Sequence, residues 1–346
     1  MGRVAALGPQ GRRKLGWGDR LQSSPQQRQL GHPTNTFRLT SITFSRHVHR
    51  TVESCPRFCS NGAMVNQSPV ETALSRAMIR WSLTKSTPVA ETPRSWIFRV
   101  EQNGRNFAAL KILKPAVSEE EGRGARLLSW YGGDGAATVF DMHGDTIFME
   151  WLDGGTLGEA ARNGRDAEAT TALATVVSNL HRHRADAPAD LLPLRQRFQA
   201  LFDTDVRTWP HTARDLYARS AGIALKLFDK PMPEIPLHGD LHHDNIISSD
   251  RGWLAIDPKG LIGDPHYEVA NAFRNPPGAT KLAADPKRIN AMADAFAARL
   301  GFNRKRVLGF AAAHSGLSVC WDLVDGNPVT TDLAILPNLL SAYDQA

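Results

Sequence analysis

The residues best suited to chemistry lie between positions 237 and 260. His238-Gly239-Asp240 is followed by Asn245, five residues beyond the aspartate. After the turn Ser248-Ser249-Asp250-Arg251-Gly252, the apolar run Trp253-Leu254-Ala255-Ile256 predicts a short buried strand that ends at Asp257. A carboxylate placed like Asp240 can orient an attacking hydroxyl and accept its proton. The amide oxygen of Asn245 and the carboxylate of Asp257 are hard ligands of the kind Mg²⁺ takes, a few protein groups completed by phosphate oxygens and water. Together they suit transfer of a γ-phosphoryl group to a hydroxyl.

A dinuclear metallophosphatase could also use Gly239-Asp240-Leu241-His242 as metal ligands. That chemistry needs further Asp, His or Asn clusters along the chain, and the sequence offers none. A short Asp/His/Gly cluster alone is common in turns, so the weight rests on the longer pattern of loop, asparagine and strand-borne aspartate.

His238 to Asn245 (HGDLHHDN), followed by Gly252 to Asp264 (GWLAIDPKGLIGD), resembles the aminoglycoside phosphotransferases, in particular their streptomycin 6-phosphotransferase and hydroxyurea-resistance kinase branch. The likeness runs from about Thr87 to about Leu340 and includes Ala108-Ala109-Leu110-Lys111, Trp130 to Val139, Asn271-Ala272-Phe273 with Asn275-Pro276, and Ala291 to Phe296. It does not reach the first sixty or so residues. The resemblance implies a two-lobed, protein-kinase-like α+β fold with ATP between the lobes, Mg²⁺ as cofactor and streptomycin, at its 6-hydroxyl, as acceptor. It also implies that Lys111 steadies the nucleotide phosphates and that Glu121 pairs with Lys111. The backbone of Glu150 and Leu152, in the stretch Glu150-Trp151-Leu152-Asp153-Gly154, stands where such enzymes hold adenine. A kinase of another small molecule, hydroxyurea included, or a catalytically silent nucleotide-binding regulator would share much of this pattern.

The elements that must position these groups are legible. Trp96 to Val100 and Phe107 to Ile112 flank Gln102-Asn103-Gly104-Arg105, and Asn-Gly between apolar runs predicts a hairpin whose second strand carries Lys111. Glu91-Thr92-Pro93-Arg94-Ser95 precedes this hairpin and could replace a glycine-rich lid over phosphate. Ser118-Glu119-Glu120-Glu121 opens a helix towards Trp130; the S-x-x-E spacing lets Glu121 cap that helix instead of pairing with Lys111. Strands are expected at Ala137 to Asp141 and Thr146 to Met149. Beyond them helical periodicity dominates. Leu173, Val176, Val177 and Leu180 form one stripe, and Ile289, Met292, Phe296 and Leu300 another, framed by Asp285, Pro286 and Gly301. His181-Arg182-His183-Arg184 reads as a solvated helix end that complements the dipole.

Three segments follow: a basic extension over 1–63, a nucleotide-binding lobe over 64–150, and a catalytic and acceptor-binding lobe over 151–346. Residues 1–63 hold ten Lys/Arg against two acids, whereas the rest has 31 basic and 33 acidic residues, so the net charge of +6 belongs to the extension. The slightly acidic remainder suits a cationic acceptor, with Asp264 and Glu268 as candidate contacts or else as caps of the following helix, and Asp322 and Asp325 as weaker candidates. The extension reads as disordered, with Met64 as a natural start; its basic composition offers the sole argument for a nucleic-acid partner, and none is expected. His47, His49, Cys55 and Cys59 match no common zinc spacing. Three cysteines make no disulfide framework, and no apolar run approaches the roughly 20 residues that cross a bilayer, so a cytoplasmic enzyme without a membrane partner is expected. No oligomeric state is implied.

Overall fold

The structure, a computed structural model, describes residues 68–346 apart from 103–105, 208, 210, 325, 327 and 328. The basic extension, the four zinc candidates, Met64, the Asn103-Gly104 turn and Asp325 lie outside the described residues.

Helix α1 (Pro69–Arg80) begins with a capping box between Ser68 and Glu71 and with Pro69 at its first position, where a missing N–H costs nothing. It packs on an antiparallel sheet of β1 (Leu83–Glu91), β2 (Ser95–Gln102), β3 (Asn106–Leu113), β4 (Val139–His143) and β5 (Thr146–Glu150), in the order β1-β2-β3-β5-β4. The expected hairpin is present, with Gln102 opposite Asn106. The two-residue period of β3 sorts its side chains: Ala108, Leu110 and Ile112 pack with Ala77, Trp81 and Phe148 in one small core, while Ala109 and Leu113 join the main core on the other face. Lys111 shares that second face, and the alternation therefore turns it towards the rest of the protein.

Between β3 and β4 runs α2 (Ser118–Tyr131), which ends at Gly132 in the left-handed conformation. Its N-cap is Val117, with no side-chain cap, so Ser118 is the first helical residue and not the cap that an S-x-x-E box requires. Gly124 is required by close approach: a Cβ there would stand 1.9 Å from the carbonyl oxygen of Pro258. The missing side chain lets α2 lie against the segment that carries Asp257.

The remainder is mostly helical: α3 (Leu157–Arg162), α4 (Asp166–Leu180), the short α5 (Leu194–Arg197) and α6 (Gln199–Asp203), α7 (His211–Phe228), α8 (Thr280–Ala283), α9 (Pro286–Leu300), α10 (Arg304–Val324) and α11 (Thr330–Asp344). The expected stripe of α4 is buried, as are Ile289, Met292 and Phe296 of the α9 stripe, with Leu300 half-buried at its end; Asp285 caps α9 through the N–H of Lys287, with Gly301 in the left-handed region beyond its end. Short strands β6 (Leu192–Pro193), β7 (Ile235–Leu237), β8 (Ile246–Ser249), β9 (Gly252–Ala255) and β10 (Leu261–Gly263) form the ledge between the sheet and the helices. The hairpin β8-β9 fits the expected turn and strand before Asp257. Among the described residues, no helix is long and apolar enough to cross a membrane.

Candidate active site

The loop 238–245 is held from beneath by buried groups. Glu268, buried within the ten-residue helical turn Pro265–Arg274, accepts from the backbone N–H groups of His238 at 2.9 Å and Gly239 at 3.0 Å. His181 donates to the same carboxylate at 3.2 Å. Burial pushes the pKa of Glu268 up, but these donors outweigh it and keep the group ionised below the usual range. His238 donates from Nε2 to the carbonyl of Ile256 at 2.8 Å and accepts from the Asp240 N–H at Nδ1; burial lowers its pKa, consistent with a neutral ring. Gly239 has φ of +78°, and a Cβ there would meet the Leu261 side chain at 2.5 Å. Glycine is therefore required at that turn on both counts.

This scaffold delivers the three expected side chains to one cleft of about 190 Å³, which Asp240, Asn245 and Asp257 line together with Lys111, Glu121, Lys259, His242, Thr92, Arg94 and Ser95. The Asn271 amide donates to Asp240 Oδ1 at 2.8 Å, fixing the carboxylate's orientation. The Asn245 amide nitrogen donates to the Asp240 carbonyl at 3.0 Å, so its oxygen is the atom available to a cation. Asp257 has φ of +57°, and Ile256 donates its N–H to the Asn245 carbonyl, tying the two candidate metal-binding residues into adjacent backbone. A mixed amide and carboxylate pair with phosphate oxygens suits Mg²⁺.

The opposite wall is an ion-pair network. Lys111 Nζ lies 2.8 Å from Glu121 Oε2 and 3.0 Å from Asp257 Oδ1. Lys259 Nζ takes the other Glu121 oxygen at 2.9 Å, and Arg94 lies 3.0 Å from Glu120 and 3.4 Å from Glu121. Burial pushes Glu121 up, but Lys111 and Lys259 together hold its carboxyl down at about 2. Burial likewise opposes the charge on Lys111, and Asp257 and Glu121 overcome it, so that its pKa is raised. Of the two roles open to Glu121, the structure takes the pair with Lys111.

Other expected positions meet different partners. Asp264 caps the helical turn through the His266 N–H and is paired with the His266 ring and with Arg306, and Glu268 supports the loop; both carboxylates are occupied inside the fold and neither is presented to an acceptor. Their side chains are nearly inaccessible because each compensates buried donors. The Glu150 N–H is already donated to the Thr138 carbonyl, and its carboxylate pairs with Arg251 from the β8-β9 turn. Leu152, by contrast, makes no hydrogen bond to another described residue. His181 is no mere solvated terminus, since it reaches Glu268, while Arg182 and Arg184 pair with Asp134. Lys259, Asn271 and the inward role of Glu268 were not anticipated. The first was signalled by its place two residues after Asp257; the other two depend on contacts between segments distant in sequence.

A loop aspartate, an adjacent amide and carboxylate, and a strand lysine tethered by a helix glutamate form the arrangement expected of protein-kinase-like phosphotransferases. The chain belongs to the aminoglycoside/hydroxyurea antibiotic resistance kinase family, whose pattern its residues 80–326 match. It is 40% identical over 264 residues to a streptomycin 3''-kinase of Klebsiella pneumoniae, covering 75% of this chain and 95% of the relative. It is 28% identical to a streptomycin 6-kinase of Streptomyces griseus, over 73% of this chain and 83% of that one. The same fold occurs in an aminoglycoside phosphotransferase crystallised with ADP and hygromycin B (TM-score 0.56, 16% identity, 79% of this chain and 98% of that chain). It recurs in a choline/ethanolamine kinase family protein from Mesorhizobium loti (TM-score 0.56, 15% identity, 80% and 99%). The protein is a small-molecule kinase with the two-lobed α+β fold of these enzymes.

Proposed function

We propose that this kinase transfers the γ-phosphoryl group of ATP to a hydroxyl of an aminoglycoside, with streptomycin as the leading acceptor. The observation that carries the reading is the convergence of Asp240, Asn245, Asp257 and the Lys111-Glu121 pair on one cleft. In the transfer, the acceptor oxygen bonds to the γ-phosphorus as the bond to the bridging oxygen breaks, and that electron pair leaves with ADP. Asp240, oriented by Asn271, accepts the hydroxyl proton. Lys111 binds nucleotide phosphate while Glu121 holds its ammonium in place. Asn245 and Asp257 would hold Mg²⁺, which supplies neutralisation of phosphate charge. The backbone of Leu152 is the best remaining position for adenine along the 150–154 stretch.

On the acceptor side, Asp322 of α10 acts electrostatically on the half-buried Arg274, as Asp240 does, so the two carboxylates share a neighbourhood. That keeps Asp322 among the candidate attractions for a cationic acceptor. The 6-hydroxyl expected from the sequence competes with the 3''-hydroxyl named for the relative at 40% identity. Purified product from ATP and streptomycin, analysed by ³¹P–¹H correlation NMR, assigns the position, and hydroxyurea offered as competitor tests the other acceptor named among the relatives. Absence of any phosphorylated aminoglycoside would overturn the reading.

A further inference from the structure

A second lysine stands in the cleft with no part in the mechanism so far. Lys259 lies two residues beyond Asp257, and its backbone N–H donates to the His238 carbonyl at 2.7 Å. Gly260, at φ of +68°, then turns the chain so closely against Arg123 of α2 that a Cβ would stand 3.1 Å from the Arg123 carbonyl oxygen. The backbone is thus pinned between the catalytic loop and α2, while the side chain, 12% exposed, extends into the cleft beside Asp240 and Asn245.

Neutralising Glu121 does not account for it. Lys111 already binds one oxygen of that carboxylate at 2.8 Å, and Arg94 lies 3.4 Å from the other. Holding a third cation at the same group costs the desolvation of an ammonium. The arrangement makes sense if an anion enters the cleft. Glu121 then parks one lysine from the sheet and one from the helical side until phosphate arrives between them. An ammonium is a compact charge with three donors on a flexible stem, so Lys259 can pivot from Glu121 towards phosphate while its backbone stays fixed.

Resting on the phosphotransfer reading above, we propose that Lys259 is a further catalytic residue, whose ammonium contacts the transferring γ-phosphoryl oxygens. It transfers no proton: Asp240 takes the acceptor's proton and the electron pair of the broken bond leaves on ADP. Its contribution is to the charge on the phosphoryl group in flight, which preorganised donors stabilise by more than they stabilise the ground state.

The test is calorimetric titration of wild-type protein and Lys259→Met with MgADP, alone and with aluminium fluoride as mimic of the transferring group. MgADP should bind both within about 3-fold, because Lys111 and the metal-binding residues remain, while the tightening by aluminium fluoride should fall by roughly 10²–10³-fold in the variant, with a similar fall in kcat and little change in KM for ATP. Lys259→Arg should recover part of the loss. Equal tightening in both proteins would overturn the proposal and leave the kinase reading standing. A parallel loss of MgADP binding, aluminium fluoride binding and thermal stability would make Lys259 a structural counter-ion, and overturn it as well. Wild-type protein that binds no MgADP would remove the kinase reading and this inference with it.

Discussion

Replacing Glu121 by Gln tests how strongly the cleft depends on one carboxylate. The substitution keeps volume and shape but removes the charge that faces Lys111 at 2.8 Å and Lys259 at 2.9 Å, in a side chain only 6% exposed. The carboxyl is lowered from 4.5 to about 2 in the folded protein. At about 1.4 kcal/mol per pKa unit this makes ionised Glu121 worth about 3 kcal/mol, in line with the cost of breaking a buried ion pair. The sign follows from the direction: a depressed folded pKa means that the stabilisation is complete above about pH 4.5 and is lost as pH falls towards 2. Thermal unfolding followed by tryptophan fluorescence should therefore show Glu121→Gln melting about 6–12 °C below wild type at pH 7, and the gap should narrow below pH 4.5 as wild type loses the same charge. Activity at pH 7 should fall too, since Lys111 keeps only Asp257 and Lys259 loses its carboxylate. A variant as stable as wild type at pH 7, or a gap that stays constant down to pH 3, would refute the view that this carboxylate organises the wall of the cleft.

Other substitutions probe the parts that hold the loop. Gly124→Ala should cost on the order of 1–3 kcal/mol by chemical denaturation and slow turnover, because its methyl group meets the Pro258 carbonyl at 1.9 Å and α2 must shift away from Asp257. Glu268→Gln puts an amide among three donors that now face a carboxylate, and should destabilise the protein by about 3 kcal/mol and lower kcat, as urea unfolding and initial rates would register. Asn271→Ala should spare stability more than activity: Asp240 loses its orienting donor, and an approximately tenfold fall in kcat with unchanged KM for ATP is expected from steady-state kinetics.

The sequence made the grouping of the candidate residues more legible than the surroundings that hold them. Asp240, Asn245 and Asp257 could be read because they lie within one short segment and because the hairpin and strand signals between them are local. The β2-β3 hairpin, the framing of α9 by Asp285 and Gly301, and the placing of Lys111 on β3 were equally local. What escaped depended on contacts across the fold. Glu268 could be read as an acceptor contact or as a helix cap; its bonds to His238 and Gly239 follow from the packing of the turn at 265–274 beneath the loop. Asp264 is the helix cap, one of its two readings, and its further pairs with His266 and Arg306 come from the fold. The S-x-x-E pattern at Ser118 gave Glu121 two possible roles, and helix α2 starts so that the glutamate faces Lys111 instead of its own N-terminus. His181 is separated from Glu268 by 87 residues, a distance over which no spacing rule operates.

The central claim is that Asp240 is the base of a nucleotide-dependent transfer to an aminoglycoside hydroxyl. The most direct measurement is Mg²⁺-dependent ADP release from ATP by purified protein, with and without streptomycin, beside Asp240→Ala. Streptomycin should stimulate release by wild type, and the variant should lose roughly 10²–10⁴-fold of that rate while still binding MgADP. Wild-type rates in Asp240→Ala, or wild-type protein that neither binds ATP nor responds to streptomycin, would contradict it.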